Sequence, residues 1–213
     1  MNHSFNRRYH IIIEVLNATT HGIAAALSVV GMIFLILKAI KDNNTLAITA
    51  FSIYGVSLFI LFLNSTLYHS FSFTQYKNFF QKLDHSSIYL LIAGTYTPYL
   101  MLAIGGRLGW TFLTLIWTLA IAGIIFEAVT LDKYPRLSTF FYLLLGWLAL
   151  FIIYPLYQSV PLYGIVWLAL GGIMYSVGTI FYRMKSIKWM HIIWHLFVIA
   201  GAAFMFVSIW HYI

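Results

Sequence analysis

Two histidines in the last apolar stretch of the sequence, His191 and His195, have the spacing of metal ligands on a helix. Residues four positions apart lie on one face of a helix, about one turn from each other. Two imidazoles in that arrangement can bind one zinc ion when other parts of the chain supply the remaining ligands. A single pair is a weak signal, so its meaning depends on which elements surround it.

The composition identifies the class of protein. Apolar residues make up 62% of the 213 residues and charged residues 8%. A soluble domain carries far more charge, and the apolar runs are helix-length rather than short and alternating, so we predict an all-α integral membrane protein. The sequence has no cysteine, which leaves His, Asp and Glu as metal ligands. The net charge of +7 does not indicate nucleic-acid binding, because the basic residues lie between apolar runs and act as orientation signals.

Seven apolar runs are each near the ~20 residues needed to cross a bilayer, and short connections make successive helices antiparallel neighbours. We therefore predict one seven-helix domain over residues 1–213, in which residues 1–20 form a cytoplasmic segment with the character of an interfacial helix. Pro98 is predicted to kink the third helix. The predicted spans are 21–40, 45–71, 84–104, 108–130, 137–157, 161–182 and 189–212.

Basic residues predict the orientation. With the N-terminus inside, nine of them fall in inner segments and three in outer segments. Positively charged loops face the cytoplasm, so the N-terminus is predicted to be cytoplasmic and the C-terminus extracytoplasmic. The inner residues are Arg7, Arg8, Lys77, Lys82, Lys133, Arg136, Arg183, Lys185 and Lys188, and the outer ones are Lys38, Lys41 and Arg107.

This topology brings five polar residues to one depth. Ser65 and His69 share a face near the cytoplasmic end of the second helix, Asp84 begins the third, and His191 and His195 begin the seventh. Intramembrane ionisable groups are costly and usually functional. Three neutral imidazoles plus a water also match the composition of a catalytic zinc site.

Each of these residues also has a purely structural interpretation. His69 and His191 could be interfacial histidines near lipid headgroups. Asp84 could cap the third helix at its N-terminus, where a carboxylate suits the helix dipole. Glu14 and Glu127 lie near the cytoplasmic boundary and could pair with nearby Arg or Lys. The other histidines are interpreted as interface or tail residues without a role: His3, His10, His21, His85 and His211.

Four stretches carry a resemblance to a known family: Glu14 to His21, Ser65-Thr-Leu-Tyr-His69, Lys82 to Pro98, and His191-Ile-Ile-Trp-His195. They resemble the haemolysin III family, bacterial relatives of the adiponectin and progestin receptors in a superfamily that also contains alkaline ceramidases. Its signature is Ser-x-x-x-His, an Asp and His-x-x-x-His. The resemblance implies zinc held by His69, His191 and His195, with Asp84 reaching the metal through a water and Ser65 as a neighbouring hydroxyl.

Three functions remain open for a protein of the bacterial plasma membrane. In the first, it is a zinc-dependent hydrolase of lipid amide or ester bonds that acts in membrane lipid homeostasis, with Asp84 as general base and Ser65 orienting the oxyanion. In the second, the zinc is structural and the protein senses membrane state without chemistry. A structural site has four protein ligands, whereas three are identified, which favours catalysis. The third is haemolysis, which the family name implies. In each case the expected partners are membrane lipids.

Overall fold

The computed structural model of the protein is a bundle of helices, and it describes residues 2–130, 133–184, 186–187 and 189–213, with the side chains of residues 2–7 left out. The described residues contain no strand. Seven stretches are long and apolar enough to cross a membrane, which confirms the predicted fold class. Three of the basic side chains counted for the orientation, those of Arg7, Lys185 and Lys188, lie outside the described part of the chain, as does His3.

Eight α-helices form these seven spans. The third span continues from α3 into a π-helical segment, Tyr99–Ile104, and the fifth consists of α5, a 3-10 segment (Leu148–Ile152) and α6. The helices are α1 (Asn2–Lys41), α2 (Thr45–Ser70), α3 (Lys77–Pro98), α4 (Gly106–Thr130), α5 (Pro135–Trp147), α6 (Ile153–Ser159), α7 (Leu162–Arg183) and α8 (Trp189–Tyr212).

Short-range chemistry explains several helix ends. Asn43 has a φ of 51° in the turn after α1, a conformation that asparagine tolerates. The Asn44 side chain then accepts a hydrogen bond from the Ala47 amide and caps α2. Pro135 begins α5, where its missing N–H would have no partner in any case. Pro98 ends the regular part of α3, and a widened π-helical segment follows it directly.

Two boundaries differ from the prediction in ways that affect the site. The N-terminal segment is not a separate interfacial helix, because α1 continues without a break into the first span. The third helix begins at Lys77, about two turns before Asp84, so that Asp84 lies inside the helix and cannot cap its N-terminus. The interpretation of Asp84 as a cap is therefore wrong.

The packing of the helices defines where a site can form. Helix α1 packs along α2 and also contacts α8, while α3 packs between α2 and α4, and α7 packs along α8. The α5–α6 span packs more loosely against its neighbours, which leaves internal space beside α3, α7 and α8.

Candidate metal centre

Three histidines from two helices converge inside the bundle. His69 comes from α2, and His191 and His195 come from successive turns of α8. One potential ligand atom from each lies within 4.8 Å of the others, and Nε2 of His69 is 3.2 Å from Nε2 of His191. His69 and His195 are buried inside the bundle, at 4% and 1% exposure, and His191 is partly buried.

Helix α1 orients two of the three rings. Nδ1 of His69 donates to the Glu14 carboxylate at 2.7 Å, which leaves Nε2 as the nitrogen facing His191. The Thr20 hydroxyl donates to the backbone carbonyl of Asn17 and lies 3.3 Å from Nδ1 of His195. Because its proton is already used, that hydroxyl accepts from Nδ1–H, and Nε2 of His195 keeps its lone pair. Such partners fix the tautomer of a metal-binding histidine.

The arrangement fits a zinc ion. Zn–N bonds are about 2.0–2.1 Å long, which places two nitrogens of a tetrahedral site about 3.3 Å apart. The 3.2 Å between Nε2 of His69 and Nε2 of His191 agrees with that separation. Two imidazole nitrogens that face each other at this distance, with Nδ1 of His69 bonded to Glu14, are suited to sharing a cation. Among the described residues, this is the one group of three potential ligands close enough to hold a metal.

Ser65 and Asp84 lie beside the histidines and border a cavity of about 230 Å³. The Ser65 hydroxyl is within hydrogen-bonding reach of the Asp84 carboxyl group, which also interacts electrostatically with His69. His191 and His195 border the same cavity, whose other walls are mostly apolar side chains from α2, α3, the α5–α6 span, α7 and α8. One side of the histidine group therefore faces a space that suits an apolar chain.

A second cavity, of about 190 Å³, is bordered by His69 and His191 of the cluster. It is more polar and is bordered by Glu14, Asn17, His69 and Gln81, and by Met184 and Ile187 near the predicted cytoplasmic end. His191 borders both cavities. The cluster therefore borders both a polar space and a mostly apolar one.

A further histidine–carboxylate pair lies beside the cluster. His85 of α3 bonds Glu127 of α4 at 3.1 Å, and the two residues are 7% and 1% exposed. Among the described residues, Glu14 and Glu127 pair with histidines, whereas the alternative considered from the sequence was pairing with Arg or Lys. Burial favours this choice, since an imidazole can be neutral whereas a cation is costly in the membrane.

The structure also corrects the interpretation of His21, which is buried at 3% exposure. Its ring stacks on that of His195, with centroids 3.6 Å apart and planes 13° apart. The sequence contained a signal that one face of α1 contacts the site. Glu14, Asn17 and His21 recur at the spacing of one helical face in an otherwise apolar stretch.

Comparisons with known proteins agree with this architecture. The family model described as "Haemolysin-III related" matches residues 9–206. The chain is 48% identical over 200 residues to Hemolysin-3 of Bacillus cereus, covering 94% of this chain and 91% of that protein. It is 46% identical to the Hemolysin-3 homolog of Bacillus subtilis (strain 168), covering 93% of each. The human monocyte to macrophage differentiation factor is 32% identical over 203 residues, covering 92% of this chain and 83% of that protein.

Proposed function

This chain belongs to the haemolysin-III related family, as a multi-pass protein of the plasma membrane, and we propose that it is a zinc-dependent hydrolase of lipid amide or ester bonds. One observation carries the proposal: a group of three histidines with an open side faces an apolar cavity bordered by a carboxylate and a hydroxyl. A closed structural site would instead surround the metal with four protein ligands.

In this mechanism, His69, His191 and His195 hold the zinc. When bound, zinc supplies Lewis-acid polarisation of a carbonyl and lowers the pKa of a bound water. Asp84 would act as the general base that takes a proton from the attacking water, and it would later deliver that proton to the leaving amine or alcohol. Ser65 would donate its single hydroxyl proton either to the Asp84 carboxylate, which it holds in place, or to the oxyanion, as predicted.

The cavity supports a lipid as substrate. An acyl chain entering the space between α3, the α5–α6 span and α7 would meet mostly apolar walls, while its polar end would lie at Asp84 and the histidines. The loose packing of the α5–α6 span gives such a chain a route from the bilayer. Trp147 of α5 donates from Nε1 to the Ser176 hydroxyl of α7 at 3.0 Å. This hydrogen bond connects the two helices between which the chain would pass.

Metal analysis and lipid hydrolysis test the proposal together. Purified protein is expected to contain about one zinc, which the double variant His191→Ala/His195→Ala loses, because two of three ligands are gone. Lipid extracts incubated with the wild type are expected to release free fatty acid, and Asp84→Ala is expected to abolish the release without removing the zinc.

Three outcomes would contradict the proposal. Undiminished zinc in the double histidine variant would show that the metal lies elsewhere. Zinc at the site without fatty acid release from any lipid, combined with an Asp84→Ala phenotype in membrane physiology, would favour a sensor with structural zinc. Lysis of red cells by the purified protein would favour the haemolytic function.

A further inference from the structure

A fourth histidine, His21, borders the apolar cavity and has no assigned partner. Neither ring nitrogen has a hydrogen-bond partner among the described residues, and the backbone of His195 lies near the ring without hydrogen-bonding geometry. The ring is 3% exposed. Burying an imidazole without partners costs free energy, so an unpartnered histidine at a cavity wall indicates a site that a polar ligand group completes.

His21 is not placed as a metal ligand. Its nitrogens are not among the potential ligand atoms that lie within 4.8 Å of one another, which come from His69, His191 and His195. Instead, its ring is stacked nearly parallel to His195 and lies edge-on to Phe62 of α2, with centroids 5.1 Å apart. These two rings fix the orientation of His21 without using either of its nitrogens.

We propose that His21 donates a hydrogen bond to the acyl carbonyl oxygen of a lipid whose chain occupies the apolar cavity. A neutral imidazole always carries one N–H, which His21 can donate. Ser65 and Asp84 also line the cavity, but they already interact with each other. A carbonyl held at His21 would lie beside His195 and therefore next to the metal group. This inference rests on the proposed function for the location of the reacting carbonyl.

The residues that line the cavity indicate the chemical class of the ligand. Its walls exclude a polar polymer or a free sugar, because most of the lining residues are apolar. The other buried hydroxyl on the same cavity without a partner among the described residues is that of Tyr175 on α7. A long-chain acyl group would place its carbonyl at His21 and its chain against the apolar walls. The Tyr175 hydroxyl is the alternative position at which the carbonyl could bind.

A matched pair of lipids measures the contribution of the carbonyl. 1-Hexadecanoylglycerol and 1-hexadecylglycerol differ in whether an ester carbonyl or an ether methylene follows the glycerol oxygen. Binding of both is measured to purified zinc-loaded protein in nanodiscs, in an Asp84→Asn background that prevents turnover. We expect the ester to bind about tenfold more tightly than the ether, which is the contribution of one buried hydrogen bond.

The variants separate hydrogen bonding from packing. His21→Phe keeps an aromatic ring between His195 and Phe62 and is expected to equalise the affinities of ester and ether, while the zinc content stays at one. His21→Gln retains a donor and is expected to restore part of the ester preference. His21→Phe is also expected to raise the melting temperature, because it removes a buried polar group that lacks a partner.

Three results would overturn the inference. One is an unchanged ester preference in His21→Phe, and another is a loss of that preference in Tyr175→Phe instead. The third is a loss of zinc in His21→Phe, which would make the residue part of the metal centre. Because binding is measured without hydrolysis, a wild type that prefers the ester but never cleaves it would refute the proposed reaction and leave the role of His21 standing.

Discussion

We expect the Glu14 carboxylate on α1 to increase the zinc affinity of the site, because it orients the ring of His69 on α2. Glu14 accepts from Nδ1 of His69 at 2.7 Å, in the short range of charge-assisted hydrogen bonds. Replacement by glutamine keeps the shape and an acceptor but removes the charge. Replacement by alanine removes the partner altogether and frees the His69 ring to rotate or to change its tautomer.

The geometry gives the size of the effect. A hydrogen bond to a charged group contributes about 1.5–3 kcal/mol to stability. The Glu14 side chain is 27% exposed, so water weakens this bond and the lower end of that range applies. About 1.4 kcal/mol corresponds to a tenfold change in affinity, so Glu14→Gln is expected to bind zinc roughly tenfold more weakly. Glu14→Ala is expected to lose between about 10-fold and 100-fold.

Competition with a chromophoric zinc chelator, on purified protein in detergent, measures these affinities directly. Glu127→Gln is the matched control, because Glu127 also binds a buried histidine, His85, which is outside the three-histidine group. That control is expected to keep the wild-type zinc affinity even if it lowers the melting temperature. Wild-type affinity in both Glu14 variants would refute the conclusion that α1 orients a metal ligand.

Three further outcomes follow from the packing and the site. Glu127→Ala leaves His85 buried without this partner and is expected to destabilise the protein by about 3 kcal/mol, measured as a lowered melting temperature. An unchanged melting temperature would show that the pair contributes little to stability. Gly109→Ala is expected to destabilise, because its Cβ would overlap the Leu100 carbonyl, whereas Gly146→Ala has no neighbouring atom within 4 Å among the described residues and is expected to be neutral. Chelation of zinc is expected to lower the melting temperature of the wild type but not that of the His191→Ala/His195→Ala double variant; an equal shift in both would place the metal at another site.

The sequence by itself determined the number of spans and their approximate positions. The length and hydropathy of each run are local properties, and the thickness of the bilayer sets the length that a spanning helix needs. It also determined that His191 and His195 share a face, as Ser65 and His69 do, because the period of the α-helix fixes which neighbours align. The spacing of Glu14, Asn17 and His21 marked one face of α1 but did not indicate which residues this face contacts.

Only the tertiary structure decided which helix faces meet. The contact between Glu14 and His69 spans 55 residues, and that between Thr20 and His195 spans 175. Such contacts depend on the rotation of each helix about its axis. In a membrane, lipid and protein interior are similarly apolar, so hydropathy does not specify that rotation as it does in water. The stacking of His21 on His195 and the pairing of His85 with Glu127 both depend on this rotation.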